Sequence, residues 1–122
     1  MPTASKLPEA GPPTPEPPRP TIHEAERASG PSGAVEWGAE LDFDSAVARR
    51  KAEQDVVVRG GDTKANQQLA GQIEGAVGPR TRPQPPEGKA GPQALPHFHQ
   101  QSRDPDGHTF YETEKRKARK KK

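Results

Sequence analysis

The sequence predicts a small α+β domain with a few short strands and two helices, preceded by a disordered proline-rich segment. Nine prolines lie in residues 1–33 and seven in residues 79–105, while residues 32–78 contain none. Only 27% of the 122 residues are hydrophobic, which limits the size of the core. We therefore expect a disordered proline-rich linker at 1–33, a domain at 34–114 and a disordered basic tail at 115–122.

The first half of the predicted domain contains a strand, a helix and a second strand. The odd positions of residues 35–43 are all apolar, which is the period of a half-buried strand. Asp44 or Ser45 can cap a short helix that ends near Gln54. Residues 55–59, Asp-Val-Val-Val-Arg, form a β-branched run that predicts the most buried strand.

A second helix follows the glycines at 60 and 61, with Asp62 or Thr63 as its cap. Its apolar residues recur at every fourth position and predict one buried stripe: Ala65, Leu69, Ile73 and Val77. Gly78 and Pro79 end this helix in the usual order.

The last part of the predicted domain is a loop followed by one or two short strands. Residues 79–94 are rich in proline, glycine and glutamine, which predicts the loop. Residues 95–112 predict the strands, arranged around an Asp104-Pro-Asp-Gly107 turn.

Charge and composition exclude several classes of protein. Without cysteine, the chain forms no disulfide, thiolate metal site or cysteine nucleophile. No apolar run is as long as a membrane span, and the N-terminal residues lack the apolar stretch of a signal peptide. The net charge is +2, but residues 115–122 carry seven positive charges, so the remainder is +2 − 7 = −5. This basic tail predicts attraction to RNA or another nucleic acid.

Three of the four histidines lie close together in sequence, at positions 97, 99 and 108. Imidazole transfers protons near neutral pH, and His97 and His99 face the same side of an extended segment. With His108 and the phenol of Tyr111 they supply a general base and a general acid. Arg103 is the expected phosphate contact. Metal-free RNA cleavage needs this set: a base for the 2′-hydroxyl, an acid for the leaving oxygen and a cation for the phosphate.

Arg59 and Lys115 are further candidates for binding the substrate phosphate. Arg59 ends the buried strand just before the predicted helix N-terminus, where free amides favour anions. Lys115 begins the basic run. We expect the histidine segment to lie at the surface, so that truncating an imidazole leaves the fold intact.

Two other interpretations of the histidines remain open. The three histidines are also typical of an exposed polar loop. The three histidines with Asp104 and Asp106 also contain enough ligands for a zinc site, although their spacing matches no metal signature. We favour a site with no metal and no cofactor.

Four segments of the chain carry a resemblance to a known family: Asp55-Val-Val-Val-Arg-Gly-Gly-Asp62, the helix Asn66–Val77, Leu95-Pro-His-Phe-His99 and Gly107-His-Thr-Phe-Tyr-Glu112. They resemble the C-terminal toxin domains of bacterial polymorphic toxin systems, most closely polymorphic toxin type 24. The resemblance spans roughly residues 55–115. It implies a secreted or delivered effector that acts in the cytoplasm of a target cell and is neutralised by a cognate immunity protein.

Two functions therefore compete at the level of sequence. The first is a metal-independent, ribonuclease-like toxin that uses histidine acid–base catalysis. The second is a non-enzymatic, partly disordered adaptor that binds nucleic acid or protein through its basic tail and proline-rich arm. The histidines favour the first function, and the composition favours the second.

Overall fold

The structure is a computed structural model that describes residues 19–28, 33–86 and 93–121. These residues form six strands and two helices, in agreement with the predicted α+β class. In chain order they are β1 (Thr21–Arg27), β2 (Val35–Leu41), α1 (Phe43–Lys51), β3 (Val56–Arg59), α2 (Thr63–Val77), β4 (His97–Phe98), β5 (Thr109–Tyr111) and β6 (Arg119–Lys120).

All six strands belong to one mixed sheet, in the order β4-β5-β3-β1-β2-β6. The antiparallel pairs are β1–β2, β1–β3 and β4–β5, while β3–β5 and β2–β6 are parallel. The first strand of the chain therefore lies inside the sheet. The parallel β3–β5 pair requires a crossover, which α2 provides on the helical side of the sheet.

The two helices cover one face of the sheet, and apolar side chains from strands and loops fill the other. On the helical side, Ala46 of α1 and Ile73 of α2 pack with Val56 and Val58. On the second side, Val57 packs in a cluster with the following residues: Ala25, Val35, Leu95, Phe110 and Ala118. Val56, Val57 and Val58 are all fully buried, so the prediction for this strand is confirmed.

Both helices begin at aspartate caps. The side chain of Asp62 accepts a hydrogen bond from the amide of Ala65 at 2.7 Å, as the sequence predicts for α2. For α1 the cap is Asp42, which accepts from the amide of Ser45. The predicted caps, Asp44 and Ser45, lie two and three residues after the observed cap. The apolar alternation of residues 35–43 places Phe43 in the preceding strand, whereas Phe43 is the first residue of α1.

The buried face of α2 differs from the predicted stripe. Ile73 is fully buried as expected, but Ala65, Leu69 and Val77 are only partly buried. Their place in the core is taken by small and polar residues: Asn66, Ala70, Gly71 and Glu74. Apolar periodicity missed this face because the buried polar groups obtain hydrogen bonds inside the protein.

The predicted boundary of the linker at residue 33 is wrong, because β1 lies within that range. Residues 1–18 of the predicted linker lie outside the described residues. Ile22 is the only large aliphatic side chain in β1, and the other buried positions are His23 and Ala25. Backbone hydrogen bonds to β2 and β3 hold this strand in the sheet. Hydrophobic periodicity does not predict such pairing.

The prediction of a disordered basic tail is also wrong for residues 115–121. Arg119 and Lys120 form β6 beside β2, and Ala118 is buried. Arg119 forms an ion pair with Glu36, and Lys121 forms one with Glu26. Acidic residues of β1 and β2 thus neutralise two of the tail's cations, which weakens the expected attraction to polyanions.

Candidate active site

His97, His99 and His108 come together at the end of the sheet where β4 ends and β5 begins. His97 lies directly opposite Phe110 in the antiparallel β4–β5 pair. The ring centroids of His97 and His108 are 4.5 Å apart. The ring centroid of His99 lies 5.8 Å from that of His97 and 5.9 Å from that of His108. We call these three residues the histidine cluster. The structure thus brings together three residues that the sequence proposed as one site.

The histidine cluster is buried, contrary to the prediction of a surface loop. His97 is 4% exposed, and His99 and His108 are each 8% exposed. The ring of Phe110 packs against His97 and His108 with centroid distances of 5.8 and 5.4 Å. Truncating one of these imidazoles would therefore leave a cavity and lower the free energy of unfolding, while the intact fold of such variants stays a prediction.

Hydrogen bonds to main-chain carbonyls orient two of the imidazoles. Nδ1 of His99 lies 2.8 Å from the carbonyl oxygen of Gln100 and donates to it, so Nε2 holds the free lone pair in the neutral ring. Nδ1 of His97 lies 3.5 Å from the carbonyl oxygen of Leu95, a longer contact of the same kind. His99 therefore has its Nε2 available to take up a proton.

His108 is held by Arg27 and Asp55. Its main-chain amide donates to Oδ1 of Asp55 at 2.8 Å. Nη2 of Arg27 donates to Nδ1 of His108, and Nε of Arg27 lies 3.4 Å from the same carboxylate. Because the guanidinium donates to Nδ1, the proton of the neutral His108 ring resides on Nε2.

Burial, and after it the nearby charges of His97, Arg27, His99 and Arg103, together lower the pKa of His108 from 6.5 to about 3. His108 is therefore neutral at physiological pH. Its Nε2 is buried and has no hydrogen-bond partner among the described residues. An unsatisfied buried polar atom is costly, and such atoms concentrate where a ligand or water completes the bonding.

Arg27 and Asp55 were not identified as site residues from the sequence. Arg27 falls in the range assigned to the linker, and Asp55 was assigned only to a strand. The two residues reach His108 because β1 ends where β3 and β5 begin. The side chain of Arg27 is 55% exposed, so its guanidinium is accessible to a ligand.

The remaining predicted site residues divide into two groups. The charge of Arg103 helps to lower the pKa of His108, which places this arginine in the surroundings of the cluster. Tyr111 lies on the helical side of the sheet, with Phe98, and its hydroxyl accepts from Gln67. Arg59 lies at the opposite end of β3, and Lys115 follows β5, so neither contacts the cluster.

Arg59 packs against Trp37 and Glu112, away from the histidine cluster. Its guanidinium stacks on the ring of Trp37 at 4.2 Å from the centroid. Nε of Arg59 lies 3.5 Å from a carboxylate oxygen of Glu112, close enough for an ion pair but without hydrogen-bond geometry. The arrangement stabilises the second face of the sheet through a cation–π contact.

A buried polar network fixes the loop that carries the histidine cluster. Arg50 and Glu74 are fully buried and form two hydrogen bonds, at 2.9 and 3.1 Å. Thr109 donates to Glu74, and Gln100 donates to the carboxylate and carbonyl of Glu74. Because Gln100 follows His99 and Thr109 follows His108, this network holds both ends of the loop. Removing one partner of such a pair costs about 3–5 kcal/mol.

Gly107 is the one position in this loop where the structure requires glycine. Its φ is +105°, and a Cβ there would lie 2.7 Å from Nη1 of Arg50 and 3.1 Å from Oδ1 of Asp55. Nη1 of Arg50 also donates to the carbonyl of Asp106 at 2.9 Å. A side chain at residue 107 would displace the groups that orient His108.

No family model, curated protein or solved structure matches this chain. The resemblance to polymorphic toxins therefore remains a prediction. Within residues 19–28, 33–86 and 93–121, no group of three histidine, aspartate or glutamate side chains is placed to hold a metal ion. The helices in the same ranges are too short or too polar to cross a membrane.

We expect the domain to lose stability in acid through His108. The folded pKa of about 3 lies below the unfolded value of about 6.5, so the unfolded chain binds more protons between these limits. Stability is then fully present above about pH 6.5 and declines as the pH falls toward 3. At about 1.4 kcal/mol per unit, pH 4.5 should cost on the order of 3 kcal/mol.

Urea unfolding at pH 7.5 and pH 4.5 measures this loss. In His108→Gln the difference between the two pH values should be clearly smaller, because glutamine does not titrate. Equal pH dependence in the wild type and the variant would contradict the assignment of acid sensitivity to His108.

Proposed function

We propose that the histidine cluster cleaves RNA without a metal ion. The observation that carries this proposal is the grouping of three imidazoles, one of which has an unpartnered Nε2, beside the accessible guanidinium of Arg27. Cleavage by the neighbouring 2′-hydroxyl needs a base, an acid and a cation close together. The histidine cluster and its two arginines supply these groups.

The charge states of the cluster suggest how the roles divide. His108 is neutral, but a pKa near 3 makes it a weak base in the free protein, and Arg27 covers its Nδ1 lone pair. A substrate phosphate would compete for Arg27 and free this nitrogen. The negative charge of the phosphate would also raise the pKa of His108, so that the imidazole takes the 2′-hydroxyl proton. The 2′-oxygen then attacks phosphorus, and the bond to the 5′-oxygen breaks. His97 or His99 in its protonated form gives that oxygen a proton, and Arg27 with Arg103 balances the phosphate charge.

The sequence resemblance to polymorphic toxin domains supports a biological role for this activity. We propose that the domain is a toxin-like effector that is delivered to a target cell and neutralised by an immunity protein. The adaptor alternative receives less support, because residues that it treats as disordered belong to the sheet.

Purified protein incubated with a short single-stranded RNA in excess EDTA tests the chemistry. We expect products with 2′,3′-cyclic phosphate ends, because the 2′-oxygen is the nucleophile. The same oligonucleotide made as DNA is the matched control and should remain intact. Absence of cleavage would contradict the proposal, and activity that EDTA abolishes and zinc restores would favour the metal interpretation instead.

A further inference from the structure

A groove of about 580 Å³ lies beyond the end of β5, on the side of the sheet that carries Tyr111. Pro86, Pro96 and the ring of Tyr111 form its apolar walls, and Lys115 and Arg116 lie at its rim. We call it the Tyr111 groove. Its volume falls within the range of about 300–1,000 Å³ that is usual for ligand sites.

The Tyr111 groove is separate from the histidine cluster. Phe110 faces the cluster, and Tyr111, the next residue of the strand, points to the opposite side. Tyr111 lies three positions after His108, which is about 10 Å along an extended strand. The groove and the cluster are thus close enough to contact neighbouring parts of one extended ligand.

Tyr111 lines this groove and carries a hydrogen-bond donor. The side chain is 5% exposed, and its hydroxyl accepts from Nε2 of Gln67 at 3.3 Å. The phenolic proton has no acceptor among the described residues. Burial raises the pKa of Tyr111, so the hydroxyl keeps its proton at neutral pH and remains a donor.

The rim of the groove is suited to an anion. The guanidinium of Arg116 is anchored by a 2.7 Å hydrogen bond from Nη1 to the carbonyl of Ala94, which leaves other N–H groups to donate. The ammonium of Lys115 has no ion-pair partner among the described residues, unlike Arg119 and Lys121 of the same basic run. Glu114 also lines the groove, so the three charges sum to +1.

We propose that the Tyr111 groove binds a nucleotide, with its base against the prolines and the exposed edge of Tyr111 and its phosphate on Lys115 and Arg116. Apolar walls accept the flat face of any base, and the cations supply affinity for phosphate. This inference rests on the proposed function, because the nucleotide would belong to the RNA strand that the histidine cluster cleaves. Two residues that the sequence nominated, Tyr111 and Lys115, thus act in binding.

Equilibrium dialysis with the four nucleoside 3′-monophosphates tests the groove in the full chain. We expect Lys115→Gln to weaken binding about tenfold, because it removes a charged contact to phosphate. Tyr111→Phe should weaken binding about fivefold, because it removes only the hydroxyl. Lys117→Gln is the matched control, since Lys117 is an exposed lysine of the same basic run outside this groove, and should bind like the wild type.

Two further ligands separate the contributions of base and phosphate. Inorganic phosphate and a free nucleoside should each bind more weakly than the nucleotide. Phosphate binding as tight as nucleotide binding, no saturable nucleotide binding, or equal weakening by Lys117→Gln would each overturn the inference. RNA cleavage without nucleotide binding would remove this inference alone. Nucleotide binding without cleavage would retain the groove as a site and remove the proposed function.

Discussion

Replacing His108 or His99 by glutamine is expected to lower the rate of RNA cleavage by about 10²–10⁴-fold, the usual contribution of a general base or acid. Glutamine keeps a polar side chain of similar length but cannot exchange a proton near neutral pH. The loss should appear in kcat, because phosphate binding rests on Arg27 and Arg103. Single-turnover cleavage of a labelled RNA, followed at saturating protein, measures the rate directly.

His23→Gln is the matched control for both variants. His23 is 6% exposed, as buried as the histidine cluster, but it contacts Trp37 and hydrogen-bonds to Thr21 and the carbonyl of Gly38. We expect His23→Gln to change stability while leaving the rate of the folded protein within a few-fold of the wild type. If folded His99→Gln and His108→Gln cleave RNA as fast as His23→Gln, the histidine cluster has no catalytic role.

A chain that begins at Ser32 is expected to lose its fold entirely. It lacks β1, which lies between β2 and β3, so β2 and β6 lose their connection to the rest of the sheet. It also lacks Ile22 of the helical core and Ala25 of the second core. Since small domains are stable by only about 5–15 kcal/mol, the loss of a central strand exceeds what the remainder can tolerate.

Thermal melting followed by circular dichroism distinguishes the two possible linker boundaries. A chain that begins at Arg19 retains every described element and should melt cooperatively, like the full chain. The chain that begins at Ser32 should show no cooperative transition. A cooperative melt of the shorter chain would restore the linker boundary that the sequence predicted.

The elements that the sequence predicted correctly have strong local signals. Residues 56–58 form a β-branched run, and α2 begins with an aspartate cap and ends before Gly78. The composition of the turn at residues 104–107 was also sufficient to predict the short strands on either side of it, where β4 and β5 lie. The two missed strands have no such signal. β1 has one large aliphatic residue, and β6 consists of Arg119 and Lys120, whose charges suggest a solvated tail.

For the candidate site, the sequence identified the groups but not their environment. The grouping of His97, His99 and His108 follows from their positions in the chain and the turn between them. Their burial depends on Phe110 and on the second layer of apolar packing, which the sequence leaves unspecified. Arg27 reaches His108 across a separation of 81 residues, and only the order of strands in the sheet reveals that contact.

The order of strands also sets when this site can exist during protein synthesis. β1, β2 and β3 are neighbours in the sheet and are complete once the ribosome has added Arg59. β5 joins β3 only after Tyr111 has been made, and with it His108 reaches Arg27. A nascent chain therefore contains the residues of β1, β2 and β3 well before it contains those of the complete histidine cluster. Any activity of the cluster begins only when the translation of this domain is nearly finished.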